Sequence, residues 1–155
     1  RMTEAGIDVG LIFNAPAHIP GGRTVPLADF TDVFPTLCEL AGLALPTDRR
    51  LDGRSLAPFL RGDDGAKPPR EWIFCQYHTR RTVRDARFKL YSTGELYDVE
   101  RDREETTDLA GAGDGAGIAA RRRLQAVLDS LPPDAPPPFK LRSQSAFKLE
   151  MEGKL

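Results

Sequence analysis

Apolar positions change their spacing roughly halfway along this chain, and the change separates two kinds of element. Residues 9–13 are a short apolar run, Val-Gly-Leu-Ile-Phe, closed by Asn14 and Pro16. A compact run bounded by turn formers predicts a buried strand. After the loop at 19–24, Phe30, Val33, Phe34, Leu37, Cys38 and Ala41 recur at helical intervals and predict a helix whose apolar face lies against that strand. Asp29 and Asp32 stand three apart, as in a capping box with aspartate at both ends. With Asp32 as N-cap, Pro35 falls in the first turn, where its missing N–H is no loss; with Asp29 as N-cap, Pro35 bends the helix one turn in. Gly42 is the expected stop. Residues 51–62 repeat the logic in small: an Asp52-Gly53 turn, Ser55 as N-cap, Pro58 in the first turn and Gly62 at the end.

Residues 63–70 are polar and rich in Gly and Pro, and read as a linker. The runs at 71–78, 81–85, 86–92 and 95–99 then predict an antiparallel meander, with turns at Asp85-Ala86 and Thr93-Gly94. Phe88 and Leu90 alternate with Arg87, Lys89 and Tyr91, the pattern of a strand with one face in water. Two helices are predicted next, at 104–111 and 116–131, the longer with an apolar face of Ile118, Leu124, Val127, Leu128 and Leu131. Residues 132–139 break regular structure, and the alternation of Phe147, Leu149 and Met151 with Lys148, Glu150 and Glu152 suits an edge strand.

The fold class implied is α/β, with α+β character in this chain itself. It falls into three parts: strand, helix and short helix over 1–66, a small antiparallel sheet with its helix over 67–131, and a Pro-rich tail over 132–155. Lys plus Arg number 22 against 23 acids, so no global field points to nucleic acid or an anionic membrane. No apolar run reaches the roughly 18 residues that span a bilayer.

Few residues carry chemistry. Cys38 and Cys75 lie in apolar surroundings and read as buried free thiols, since two such distant ligands make no metal motif. His18 reads as an ordinary loop residue. His78, at the end of a predicted strand, is the foremost candidate to donate to an anionic ester oxygen. Arg80 and Arg81 follow it, and with Arg84, Arg87 and Lys89 they form a local basic cluster whose guanidinium forks suit sulfate or carboxylate; the plainer reading is a solvated sheet face with acidic partners. Arg121, Arg122 and Arg123 read as helix surface. Asp98, Glu100 and Asp102 have the spacing of a calcium loop, but Arg103 and Leu109 stand where that loop wants Gly and Glu, so they read as turn and helix-start acids.

The order of the motifs adds a resemblance. The stretches DVFPTLCELAGL (32–43), LDGRSLAPFLRG (51–62), RTVRDARFKLY (81–91) and ELYDVERDREETTDLA (95–110) resemble, in order and spacing, the C-terminal portion of formylglycine-dependent sulfatases of the arylsulfatase type, within the alkaline phosphatase superfamily. The likeness covers about 1–131. Arg103 replaces the usual Pro of the last motif and Asp108 its usual Asn. The resemblance implies an α/β sulfatase domain ending here, followed by a small sheet packed with a helix, whose loops shape the substrate mouth. It also implies a parent that hydrolyses a sulfated small molecule or glycan, with a formylglycine made from a Cys/Ser-x-Pro-x-Arg motif and a divalent ion, usually calcium. Neither Cys38 nor Cys75 sits in that motif, the metal constellation belongs upstream, and a sulfate-binding Lys is expected five residues before the residue matching Glu4. The expectation is therefore a fragment that is inactive alone, whose partner is the missing N-terminal catalytic portion, and which can self-associate through an exposed apolar face. No compartment is implied. The alternatives are a non-catalytic module for anionic glycans, or a fragment of a phosphonate monoester hydrolase or phosphodiesterase of the same superfamily.

Overall fold

The computed structural model describes residues 2–132, apart from 23, 26, 64, 68, 78 and 112–114. The expected meander is present. β1 (Ile73–Tyr77), β2 (Arg80–Arg84), β3 (Phe88–Tyr91) and β4 (Leu96–Asp98) form one antiparallel sheet in chain order. Both expected turns are made. Asp85 Oδ1 accepts the N–H groups of Arg87 and Phe88 at 2.9 and 2.7 Å, and Gly94 takes a left-handed φ of 105° that a side chain would resist.

The long helix, α4 (Gly115–Ser130), covers one face of this sheet. Val83, Phe88, Leu90 and Leu96 meet Ala120, Leu124 and Leu128 in a single core. Ile118, expected on the apolar face, instead points outward. Two of the arginines read as helix surface pin α4 to the hairpin turns: Arg121 Nη2 donates to the Gly94 carbonyl at 2.6 Å, and Arg123 pairs with Asp85.

The other face is not the wet one that the alternation of β3 implied. All four β3 residues are buried. Lys89 and Tyr91 lie under a segment that runs from Met2 into the one-turn helix α1 (Glu4–Ile7), because carboxylates distant in sequence arrive there to neutralise the lysine.

A second group of elements is built around one aspartate. A single 3₁₀ turn (Phe30–Asp32) leads into α2 (Val33–Leu40), and α3 (Ala57–Arg61) follows, ending at Gly62 with φ 80°. Both expected helix starts are used. The capping box is reciprocal, Thr31 N–H donating to Asp29 and Asp29 N–H to Asp32, and Pro35 is third in α2, where it breaks no hydrogen bond.

The buried face of α2 differs from the one its apolar spacing predicts. Asp32, Pro35, Thr36 and Cys38 are inside, while Phe30 is 88% exposed and Phe34 and Leu37 face out. The physical reason is Asp32, which has no exposed surface. Its carboxylate accepts from Asp29 N–H (2.8 Å), Arg54 N–H (2.7 Å), and Arg70 Nε and Nη2 (2.7 and 2.6 Å). Its carbonyl accepts from Thr36 Oγ1 at 2.6 Å, and that hydroxyl accepts from Leu56 N–H at 2.9 Å. Gly53 makes the approach possible, since a Cβ there would lie 1.9 Å from the Thr31 carbonyl oxygen. Leu56 and Leu60 then pack with Ile19, Phe13 and Leu40 in a second small core.

Two further expectations differ from the structure. Residues 9–13 form no strand, and Val9, Leu11 and Ile12 are exposed, Ile12 at 88%; no strand of the described residues lies alongside to take their backbone hydrogen bonds. Residues 104–111 form no helix. The Asp102 carboxylate captures the N–H groups of Thr106 and Thr107 at 2.9 and 2.8 Å, and Glu105 takes φ 53°, which a continuing helix forbids. The tail expected as an edge strand (145–155) lies outside the described residues.

Asp32 makes two predictions. Asp32→Ala leaves Arg70 inside without its carboxylate and is expected to cost about 3–5 kcal/mol, read as a lower urea midpoint, whereas Asp48→Ala, at an exposed pair, is expected to be near neutral. Burial alone would raise the Asp32 carboxyl, but bonds from Arg70 and from the Arg54 and Asp29 amides outweigh it and hold the group below its ordinary value. A depressed folded value means the contribution is complete above the unfolded value and is lost as pH falls through the folded one. Acid titration of stability is therefore expected to be steeper for the wild type than for Asp32→Asn.

Candidate functional site

Successive residues of a strand point to opposite faces, so Arg80 and Arg81 are separated at the outset. Arg81 turns toward α4, its Nη2 donating to the Leu128 carbonyl at 3.3 Å and its guanidinium lying 5.4 Å from the Phe74 ring. Arg80 turns to the other face. There it pairs with Glu95 at 3.2 Å and stands 5.1 Å over the Tyr91 ring, half exposed at 53%. The two guanidiniums do not converge on one anion. His78, the third expected site residue, lies outside the described residues. Neither arginine lines the groove of about 550 Å³ between Trp72, Phe88, Leu124 and Val127, rimmed by Arg87 and Arg123.

The rest of the expected basic cluster is a built ionic network. Lys89 Nζ has no exposure and bonds to Glu4 Oε1 (3.2 Å), Glu105 Oε1 (2.8 Å) and the Met2 carbonyl. Arg84, on the neighbouring strand and directly opposite Lys89, takes the other Glu4 oxygen. The Tyr91 hydroxyl donates its one proton to Glu105 Oε2 at 2.5 Å and stands 2.9 Å from the Met2 carbonyl oxygen. Burial, and then the Glu105 carboxylate, push the Tyr91 phenol far above its ordinary value, so it stays protonated and acts as a donor. Two cations face two carboxylates, and the assembly holds the 2–7 segment on the sheet. This cluster is the feature the sequence reading missed. One signal was available: β3 is an inner strand of the expected meander, and a lysine on an inner strand is well placed to be covered on both faces.

The remaining candidates go to structural partners. Cys38 is buried in α2; Cys75 is half-buried, its thiol pushed up by that burial and 3.9 Å from Met2 Sδ. Neither fits a nucleophile. Asp98 accepts from Arg87 Nε and Nη2 at 2.9 and 2.7 Å, and Asp102 holds the 106–107 amides. Among the described residues, no three His, Cys, Asp or Glu side chains gather as a metal site would require.

The network and the rim make different predictions. Lys89→Met leaves Glu4 and Glu105 buried without their cation and is expected to cost about 3–5 kcal/mol in urea denaturation. Arg80→Ala, at a half-exposed pair, is expected to cost about 1 kcal/mol or less.

Comparison with known proteins agrees with the order of motifs. No family model matches the chain. Human arylsulfatase D is 34% identical over 119 residues, covering 74% of this chain and 19% of the relative. Steryl-sulfatase of Mus musculus is 42% identical over 72 residues, covering 46% and 11%. Delta 4,5-hexuronate-2-O-sulfatase of Bacteroides thetaiotaomicron is 37% identical over 111 residues, covering 63% and 22%. A solved structure described as a complex with D-glucosamine-2-N,6-O-disulfate superposes with a TM-score of 0.49 at 24% identity, over 63% of this chain and 22% of that one, a likeness too slight to weigh. The chain thus spans only 11–22% of the length of these three curated relatives. With named sulfatases matching up to three quarters of its length, the chain belongs to the sulfatase family and corresponds to a minor part of those enzymes.

Proposed function

We propose that this chain is the supporting flank of a sulfuric ester hydrolase, supplying scaffold and pocket wall, and that it hydrolyses no ester alone. The observation that carries this reading is its kinship with sulfatases over only 11–22% of their length. Sulfate ester hydrolysis needs an activated nucleophile and a cation to neutralise the transferring group. In this reading the formylglycine and the divalent ion, calcium by resemblance, belong to the remaining part of the parent, as does the contact with a sulfated small molecule or glycan.

The partner is that remaining part. Ile12, Phe30, Phe34, Leu37 and Leu43 are exposed, and such a concentration of large apolar side chains suits a docking surface. The non-catalytic glycan-binding reading has less support, because Arg84, Arg87 and Lys89 are already paired with Glu4, Asp98 and Glu105.

The test is hydrolysis of 4-nitrophenyl sulfate and release of free sulfate. The purified chain is expected to give neither above background, with or without added calcium, while the same chain joined to its own upstream coding sequence gives both. Sulfate release by the chain alone would overturn the proposal.

A further inference from the structure

We infer that Arg84 and Lys89 form a cradle for a small oxyanion, a carboxylate or a sulfate, which the chain fills with its own Glu4, so that the segment 2–8 is a displaceable arm.

The cradle is a built site. Lys89 is inaccessible and Arg84 is only 16% exposed, and between them they hold both oxygens of one carboxylate. Glu105 and the Tyr91 hydroxyl complete the wall, Glu105 holding Lys89 at 2.8 Å. If Glu4 leaves, two buried cations remain against one carboxylate. A surplus buried positive charge is costly, and an oxyanion arriving from solution relieves it.

The arm is held by polar contacts more than by apolar area. Met2 is its one buried apolar side chain, beside Cys75. Its other ties are the Glu4 carboxylate, the Met2 carbonyl, the Glu4 N–H donating to Glu105 at 2.8 Å, and an exposed Arg103–Asp8 pair. The helix in the arm is a single turn, and it leads into the exposed residues Val9 to Ile12. An attachment of this kind yields by mass action to a competing anion, whereas one held by a packed core does not.

Hydrogen exchange on the full chain reads this directly, with sodium sulfate compared against sodium chloride at equal ionic strength. Sulfate is expected to raise exchange of the 2–8 amides by about threefold or more while the amides of β2 and β3 hold steady. Glu4→Ala opens the cradle, and its melting temperature is expected to rise more with sulfate than that of Glu4→Ala/Lys89→Met, which shares any general salt effect. Equal exchange of 2–8 in the two salts, or equal sulfate gains for the two variants, would overturn the inference. If Glu4→Ala does not fold, the wild-type exchange result decides it alone.

Discussion

An ammonium group carried into a protein interior loses its hydration shell, and it keeps its charge only where fixed oxygens replace the water. Lys89 sits in the middle of a sheet with no exposed surface, so the chain must bring carboxylates to it. It brings Glu4 and Glu105, with the Met2 carbonyl as the third acceptor, and Tyr91 holds Glu105 in place. That requirement explains why the 2–7 segment lies on the sheet and why the loop around Glu105 bends through a positive φ. The apolar packing of α4 on the opposite face is then free to follow ordinary rules, with small and branched side chains interlocking across one layer.

Asp32 poses the same problem with the sign reversed. A buried carboxylate needs donors, and it recruits two main-chain amides and the fork of Arg70. The fork is bidentate, so it fixes orientation as well as charge. Thr36 extends the knot to Leu56, and Gly53 allows the close passage that makes it possible. Asp32 and Thr36 of one motif through which the chain resembles sulfatases, and Gly53 and Leu56 of another, are therefore residues of this knot.

That coincidence bears on function. Where shared sequence patterns map onto hydrogen-bonded scaffolding, they speak for a common architecture more directly than for chemistry. It supports the reading of this chain as a flank whose work is to hold shape. In that reading the large exposed apolar side chains belong to a surface that the rest of the parent covers.

Much of the fold was legible along the chain. Alternating runs and Asp/Gly turns specified four strands in order, the Asp29–Asp32 pair marked a helix start, and Gly62 marked a helix end, because these depend on neighbours within a few residues. Of the expected site residues, Arg80 lay outside the expected strand run at 81–85, and only the structure placed it on β2, facing away from Arg81. Other features lay beyond local pattern. Ile12 has the composition of a core strand, yet it is exposed because a strand exists only beside another. The helix expected at 104–111 gives way to a turn, since the Asp102 side chain competes for its amides. Local sequence determined the elements and their ends; tertiary structure alone decided the fate of Asp32 and Lys89, because the charge that neutralises Asp32 lies 38 residues away and those that neutralise Lys89 lie 85 and 16 residues away.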